Sequence, residues 1–175
     1  MREPRERILL DEVAIRQFLH NAYPKLVAGV AVMAGSRAVA EDSVQEALAR
    51  AWERSERGEE IRNLEAWVTT VALNLARSGL RRVRSERKAR ERLRGRERVD
   101  SSETRIDVVR ALSELPRRQR EATVLRYYLG YDVKDIAEIL GVREGTAKTT
   151  LHRARLALAA RLGEDIPQEA DDRGR

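Results

Sequence analysis

Apolar residues recur along this chain at the three- and four-residue spacing of amphipathic helices. The first predicted helix covers residues 8–22, and His20 near its end is interpreted as an ordinary surface residue. The side chains expected to face its core are Leu9, Val13, Phe18 and Leu19. A second, short and mostly apolar helix is predicted between Pro24 and Gly35, and its lack of polar residues predicts burial on most sides.

A third helix is predicted from about residue 38 to residue 57, with two faces of different chemistry. The apolar face, with Trp52 at its edge, comprises Val44, Ala47, Leu48 and Ala51. The opposite face is acidic and comprises Asp42, Gln45, Glu46, Ala49 and Glu53. The spacing alone leaves two interpretations open, a solvated helix face or a docking surface for a basic partner.

A fourth helix is predicted over residues 64–88, after a charged loop at 58–62, with Asn63 as its N-cap. Its predicted buried stripe consists of Leu64, Trp67, Val71 and Leu75. Beside that stripe runs a ladder of hydrogen-bond donors, Thr70, Asn74, Arg77, Arg81 and Arg84. Such a ladder suits a nucleic-acid backbone, with Asn74 able to read a base edge. The alternative is an exposed basic helix end that complements the helix dipole.

Residues 85–103 are repetitive and charged, with too few apolar side chains to form a core, so the sequence predicts a flexible linker there. The fold class is therefore all-α, with two small helical domains joined by this linker. The domains are predicted at 1–84 and 104–163, followed by a disordered tail at 164–175.

The second domain begins with predicted helices at 104–115 and 117–130, separated by Pro116. The core side chains expected on the latter helix are Val124, Leu125, Tyr128 and Leu129. A helix-turn-helix is predicted next, because Asp132 can cap a helix that Gly141 ends and a second helix starts near Glu144. Its apolar stripes are Val133, Ile136, Ala137 and Leu140, then Ala147, Leu151, Ala154 and Leu158.

The second helix of this motif carries polar and basic residues on the side away from its apolar stripe. Thr149, His152 and Arg153 lie opposite the stripe, and Lys148 and Arg155 lie on one flank. These side chains can reach phosphates and base edges together, which favours a helix that enters the major groove of DNA. The alternative is a helical hairpin whose basic face is only solvated.

Composition supports a nucleic-acid-binding protein of 175 residues with a formal net charge of +6, from 35 Lys and Arg against 29 Asp and Glu. Cysteine is absent, which excludes disulfides, thiolate metal sites and thiol catalysis. No cofactor or metal site is expected, and the lack of paired histidines or a glycine-rich phosphate motif argues against an enzyme. No apolar run has membrane-spanning length and the first ten residues lack a signal-peptide core, so we expect a cytoplasmic protein without membrane insertion.

Three stretches resemble the extracytoplasmic-function sigma factors, the compact two-domain initiation factors of bacterial RNA polymerase. Residues 40–52, AEDSVQEALARAW, are similar to the polymerase-binding core of that family. Residues 66–82, AWVTTVALNLARSGLRR, are similar to its promoter-melting helix. Residues 115–155 are similar to its C-terminal helix-turn-helix module.

The resemblance implies core RNA polymerase and promoter DNA as partners, and an anti-sigma factor as the usual regulator of such proteins. It implies polymerase contacts for the acidic face, namely Asp42, Gln45, Glu46 and Ala49. It implies −10 contacts for the ladder that contains Asn74, which matches a position near the loop that captures a flipped base. The implied −35 contacts are Arg143, Thr146, Lys148, Thr149, His152, Arg153 and Arg155. The alternative function is a transcriptional regulator that uses the helix-turn-helix module alone.

Overall fold

A computed structural model describes residues 12–90 and 103–162, with side chains at 12–79 and 108–162. These residues form helices joined by short loops, without a β-strand in the described ranges. The helices are α1 (Glu12–Asn21), α2 (Tyr23–Ala34), α3 (Arg37–Glu56), α4 (Leu64–Arg90), α5 (Glu103–Glu114), α6 (Arg117–Thr123), α7 (Val133–Leu140) and α8 (Glu144–Leu162). The all-α class is confirmed.

Local capping explains where several of these helices begin and end. The carboxylate of Asp132 accepts a hydrogen bond from the Asp135 backbone N–H at 2.7 Å, and Asn63 Oδ1 accepts one from the Ala66 N–H at 3.0 Å. Gly35 and Gly141 end α2 and α7 at φ angles of 73° and 65°, which glycine adopts without strain. The predicted caps and helix ends are therefore confirmed.

The helix-turn-helix core is also confirmed. Ile136, Ala137 and Leu140 on α7 are buried, as are Ala147, Leu151 and Ala154 on α8. Val133 and Leu158, at the outer ends of the two stripes, are half-buried. Arg118 supports the motif from α6, because its Nη1 donates to the carbonyl oxygen of Leu140 at 2.9 Å, at the end of α7.

Some predicted core positions are wrong because the neighbouring helices select a different face. On α1, Val13 and Leu19 are 59% and 43% exposed, whereas Phe18 is buried against α2. On α4 the predicted stripe is only half-buried. The centre of its buried face lies about one residue further along the chain, at Val68, Thr69, Ala72, Leu73 and Ala76. On α3 the prediction holds, with Val44, Ala47 and Ala51 fully buried, Leu48 half-buried and Trp52 at the edge.

The helix predicted over 117–130 changes its winding in the middle. After α6 the backbone forms a π-helical segment, Val124–Leu129, which ends at Gly130 with a φ angle of 87°. The wider turn rotates the side chains that follow it. Val124, Leu125 and Leu129 are buried as predicted, but Tyr128 is 45% exposed and its assignment to the core is wrong.

The two halves of the chain pack against each other and share one hydrophobic core. That core continues from Leu26, Val30 and Leu73 in the N-terminal half to Leu125 and Ile136 in the C-terminal half. In sequence, α4 extends to Arg90 and α5 begins at Glu103, so the first residues of the predicted linker are helical. Residues 91–102 of the linker, the tail from 164 onward, and Leu9 of the predicted first helix lie outside the described residues.

Candidate functional site

The recognition surface on α8 has the predicted polarity. Lys148, Thr149, His152 and Arg153 are exposed, while Ala147, Leu151 and Ala154 of the apolar stripe are buried. Arg143 and Thr146 are exposed at the start of the helix, and Arg155 is half-buried on the flank. The Thr149 Oγ1 donates to the carbonyl oxygen of Gly145 at 2.9 Å, which fixes its rotamer and leaves the oxygen lone pairs outward. The structure therefore places these side chains together on one convex, solvated helix face.

The donor ladder on α4 is only partly open to solvent. Thr70 is half-buried and donates to the Ala66 carbonyl oxygen at 2.8 Å, while Asn74 is exposed. Arg77 Nη1 donates to Asn74 Oδ1 at 3.0 Å, so these two members of the ladder are in contact. Arg81 and Arg84 lie on the helical backbone of α4, and their side chains are outside the described set.

Arg77 is also bound by a residue that the sequence did not single out. Its Nε and Nη2 donate to the two carboxylate oxygens of Glu121 on α6, at 2.9 and 2.8 Å. The Glu121 side chain is 1% exposed and that of Arg77 is 14% exposed. This bidentate pair joins the two halves of the chain across 44 residues of sequence.

A cleft of about 240 Å³ lies between the start of α4 and α7. Asn63, Trp67 and Thr70 line it from the N-terminal half. Asp135 and Glu138 line it from α7. Thr70 of the predicted −10 site therefore shares a cleft with two carboxylates of the helix-turn-helix.

The buried hydroxyl of Tyr131 forms a second polar contact between the halves. It lies 2.9 Å from Thr69 Oγ1 on α4, which in turn donates to the Glu65 carbonyl oxygen at 2.7 Å. Burial raises the pKa of Tyr131 to about 12, although the hydrogen bond with Thr69 acts in the opposite direction. The nearby charges of Glu65 and Asp135 add to the rise in pKa, and Tyr131 is therefore neutral at physiological pH.

The acidic face of α3 is exposed at every predicted contact position, Asp42, Gln45, Glu46 and Ala49. Glu46 pairs with Arg50 one turn later at 2.8 Å, a contact exposed enough to be weak. Gln45 Nε2 donates to the Tyr23 hydroxyl on α2 at 3.2 Å, so the amide is held at the edge of the face. The structure thus brings the four residues together on one open surface.

An apolar groove of about 490 Å³ lies directly beside this acidic face, between α1 and α3. Ile15, Leu19, Tyr23, Leu48 and Trp52 line it, together with Gln45, Ala49 and Glu53 from the acidic face. The exposure of Leu19 and Trp52, 43% and 38%, is large for such side chains. Sequence reasoning did not assign this groove to the site, and the available signal was the position of Trp52 at the edge of the apolar face.

Within the two described ranges, no helix is both long enough and apolar enough to cross a membrane. The described side chains also contain no cluster of three or more His, Cys, Asp or Glu residues that could bind a metal ion.

Two family models match the chain in tandem. Residues 19–86 match Sigma-70 region 2, which covers α2, α3 and most of α4. Residues 105–158 match Sigma-70 region 4, which covers the helix-turn-helix and the helices before it. The boundary between the two matches falls in the charged segment that joins the halves.

Curated relatives match nearly the whole chain. The ECF RNA polymerase sigma factor SigL of Mycobacterium tuberculosis is 32% identical over 162 residues, covering 87% of this chain and 92% of the relative. The ECF RNA polymerase sigma factor EcfG of Rhodopseudomonas palustris is 32% identical over 157 residues, covering 87% of each.

Among solved structures, the sigma factor RpoE of Bartonella quintana, crystallised with the anti-sigma factor NepR, is similar with a TM-score of 0.75. That similarity covers 87% of this chain and 98% of the other, at 30% identity. CnrH, in complex with the cytosolic domain of CnrY, has the same fold with a TM-score of 0.65 at 23% identity. The tandem region matches and the full-length relatives agree, and the chain belongs to the extracytoplasmic-function family of RNA polymerase sigma factors.

Proposed function

We propose that this sigma factor uses three separate surfaces for three interactions. The acidic face of α3 binds core RNA polymerase, the outer face of α8 reads the −35 element, and the donor ladder of α4 holds the melted −10 strand. The protein acts in the cytoplasm by recruiting and positioning the polymerase, and it performs no catalysis of its own.

The observation that carries the polymerase assignment is the pairing of the acidic face with the apolar groove. Asp42 and Glu46 are exposed carboxylates on a chain of net charge +6. The groove that contains Trp52 and Leu19 borders the same face, because Gln45 and Ala49 line it too. Aromatic and aliphatic anchors surrounded by a polar rim are typical of protein–protein interfaces. This surface fits a basic amphipathic partner, whose apolar side chains would fill the groove while its cations meet the carboxylates.

The DNA assignments rest on exposure and donor geometry. For the −35 element the contact residues are Arg143, Thr146, Lys148, Thr149, His152, Arg153 and Arg155. For the −10 strand they are Thr70, Asn74, Arg77, Arg81 and Arg84. An exposed asparagine amide offers both a donor and an acceptor, so Asn74 can hydrogen-bond the edge of an unpaired base.

Regulation by an anti-sigma factor is a further part of this proposal. The Bartonella relative was crystallised with NepR, and its similarity extends over both halves of this chain. A transcriptional regulator that uses only the helix-turn-helix is not favoured, because the N-terminal half matches Sigma-70 region 2 over residues 19–86.

Charge reversal on α3 tests the polymerase surface. The double variant Asp42→Lys/Glu46→Lys should weaken binding to sigma-free core polymerase by at least about tenfold at low salt, because lost attraction becomes repulsion. The repulsion that Glu46→Lys creates against Arg50, one turn away, costs only about 0.2–0.5 kcal/mol, so the fold should be retained.

The matched control is Glu59→Lys/Glu114→Lys, which makes the same change in net charge. Both carboxylates pair with an arginine, Glu59 with Arg54 at 2.9 Å and Glu114 with Arg161 at 3.2 Å, but neither belongs to the acidic face. Equal affinity of the Asp42→Lys/Glu46→Lys variant and wild type for the polymerase, measured by fluorescence anisotropy, would show that the acidic face is not the docking surface.

A further inference from the structure

The contact between the two halves of the chain contains charged groups at its centre. Glu121 of α6 is buried and lies within 4 Å of three arginines. Arg77 binds it at 2.8 Å, whereas Arg117 and Arg118 of its own half lie at 3.8 and 3.9 Å. A buried carboxylate is stable only when positive partners replace its water, and here the closest partner comes from the opposite half.

This pair occupies an arginine that the −10 strand requires. The guanidinium of Arg77 presents its Nε and Nη2 to Glu121 and its Nη1 to Asn74, so its donors are engaged on both edges. A DNA phosphate would use the same two-pronged geometry as the Glu121 carboxylate. The carboxylate therefore substitutes for a phosphate, and the two cannot bind Arg77 together.

The cleft between the start of α4 and α7 adds a second obstacle to DNA. Asp135 and Glu138 of α7 line it opposite Trp67 and Thr70. A nucleic-acid backbone that approached Thr70 in this arrangement would meet two carboxylates at short range, and such like-charge contacts are unfavourable. In the closed arrangement Glu121 therefore occupies Arg77, and the carboxylates of Asp135 and Glu138 repel a DNA backbone near Thr70.

We propose that the closed packing of the two halves is an autoinhibited state of this sigma factor, held by a latch between Glu121 and Arg77. The proposal rests on the assignment of Arg77 to the −10 strand made above. In the open state Arg77 is released toward DNA, Glu121 is hydrated, and α8 moves independently of α4.

The interface has properties that allow it to open. Its polar contacts, Glu121 with Arg77 and Tyr131 with Thr69, exchange protein partners for water when the halves separate, so the net loss for each is small. One apolar contact is unusually close: a Cβ atom at Gly29 of α2 would lie 3.2 Å from Leu129 Cδ2. A side chain at Gly29 would therefore push the halves apart without changing any charge.

Two chemically independent variants test the latch in the full chain. Glu121→Gln removes the carboxylate charge that three arginine side chains share. Gly29→Leu wedges α2 away from Leu129 and adds helix propensity to α2. The matched control is Glu114→Gln, which also removes a carboxylate paired with an arginine, but between α5 and α8 of one half.

The opening is measured as a distance between spin labels. The chain contains no cysteine, so the spin labels can be attached to two cysteines introduced in the same chain. These replace the exposed residues Gln17 on α1 and Ser113 on α5. Pulsed electron paramagnetic resonance should give one narrow distance population for wild type and for Glu114→Gln. Both Glu121→Gln and Gly29→Leu should add a longer, broader population, and circular dichroism should show unchanged helix content.

The functional consequence is measured as binding of the free full chain to a mixed-sequence single-stranded DNA oligonucleotide. A closed state reduces apparent affinity in proportion to its population, so the two opened variants should bind the oligonucleotide about three- to tenfold more tightly than wild type. A single short distance in both variants would overturn the latch. Opened distances with unchanged affinity for single-stranded DNA would overturn the autoinhibition. If adding Arg77→Ala to the opened variants left their gain in affinity intact, the assignment of Arg77 to the −10 strand would be overturned instead.

Discussion

Arg153 offers a test that separates base recognition from backbone binding. Its side chain is exposed on α8, while Leu151 and Ala154 on either side of it are buried. Replacing Arg153 with alanine therefore removes only an outward side chain, and alanine retains the helix propensity of the position. The change should leave the fold and the free energy of unfolding within about 0.5 kcal/mol of wild type.

The expected magnitude depends on the type of contact. A bidentate hydrogen bond from a guanidinium to the O6 and N7 atoms of a guanine is worth about 1–3 kcal/mol of discrimination, or roughly 5- to 150-fold in affinity. We expect Arg153→Ala to lower the binding free energy for the preferred −35 sequence by this amount. The loss should be much smaller for a −35 sequence that lacks the contacted base pair. Preference at one position of the element should therefore relax.

Lys148 provides the contrasting case on the same helix. It is exposed on the flank of the outer face of α8, and we expect its ammonium group to contact phosphates. Lys148→Ala should weaken binding to all sequences by a similar factor and reduce the slope of affinity against salt concentration by about one.

The assay is the binding of holoenzyme, formed from core polymerase and the full chain, to a panel of single-base −35 variants at several salt concentrations. The control is Arg161→Ala, which also removes a guanidinium from α8. Arg161 pairs with Glu114 and lies outside the recognition face. A uniform loss of affinity for Arg153→Ala across the panel would refute the base contact. Specificity would then have to come from Thr149 and His152.

Three further predictions concern other parts of the molecule. Asn74→Ala should leave polymerase and −35 binding intact but lower the permanganate reactivity of promoter thymines, because we expect its amide to contact only the melted strand. Equal reactivity with the variant and wild type would remove Asn74 from the −10 site. Trp52→Ala should weaken polymerase binding by about tenfold, since it truncates an interface anchor in the groove, and unchanged affinity would show that the groove is not contacted. Tyr131 ionises near pH 10 in the unfolded chain and near pH 12 in the folded protein, so its ionisation lowers the free energy of unfolding by about 3 kcal/mol as the pH rises from 10 to 12. Measured by chemical denaturation, Tyr131→Phe should lack this part of the decrease in the free energy of unfolding. An identical pH profile for the variant and wild type would contradict the burial argument.

Local features of this fold were predictable because they depend on neighbouring residues alone. Asp132, Asn63 and Gly141 act through contacts within three or four residues, and the structure confirms each of them. The buried stripes of the helix-turn-helix follow from helical spacing in the same way. The polar face of α8 was predictable for that reason too, since it is what remains when the stripe is buried.

Features that depend on which helices meet were not predictable from one sequence. The face of α4 that is buried is set by α3, α2 and α7, so the predicted stripe was displaced from Val68 and Ala72. Val13 and Leu19 were assigned to the core because α1 is amphipathic, but its main neighbour is α2, which covers only a narrow face. Tyr128 was misplaced because the π-helical winding leaves no clear signal in the spacing.

The contact between Glu121 and Arg77 illustrates the same limit for the functional site. Both residues lie in helices rich in charge, and nothing local distinguishes Glu121 from a solvated glutamate. Its closest partner, Arg77, lies in the other half, 44 residues away in sequence. The sequence predicted separate domains on a flexible linker, so it offered no reason to search for a pair across them.

The central claim is that this chain directs RNA polymerase to promoters through all three surfaces together. The most direct test is transcription in vitro from a random DNA library, using sigma-free core polymerase with and without the full chain, followed by sequencing of transcript 5′ ends. We predict that the chain yields start sites that share two upstream sequence elements at fixed spacing, and that the Asp42→Lys/Glu46→Lys variant abolishes them. Start sites that match those of core polymerase alone would contradict the account.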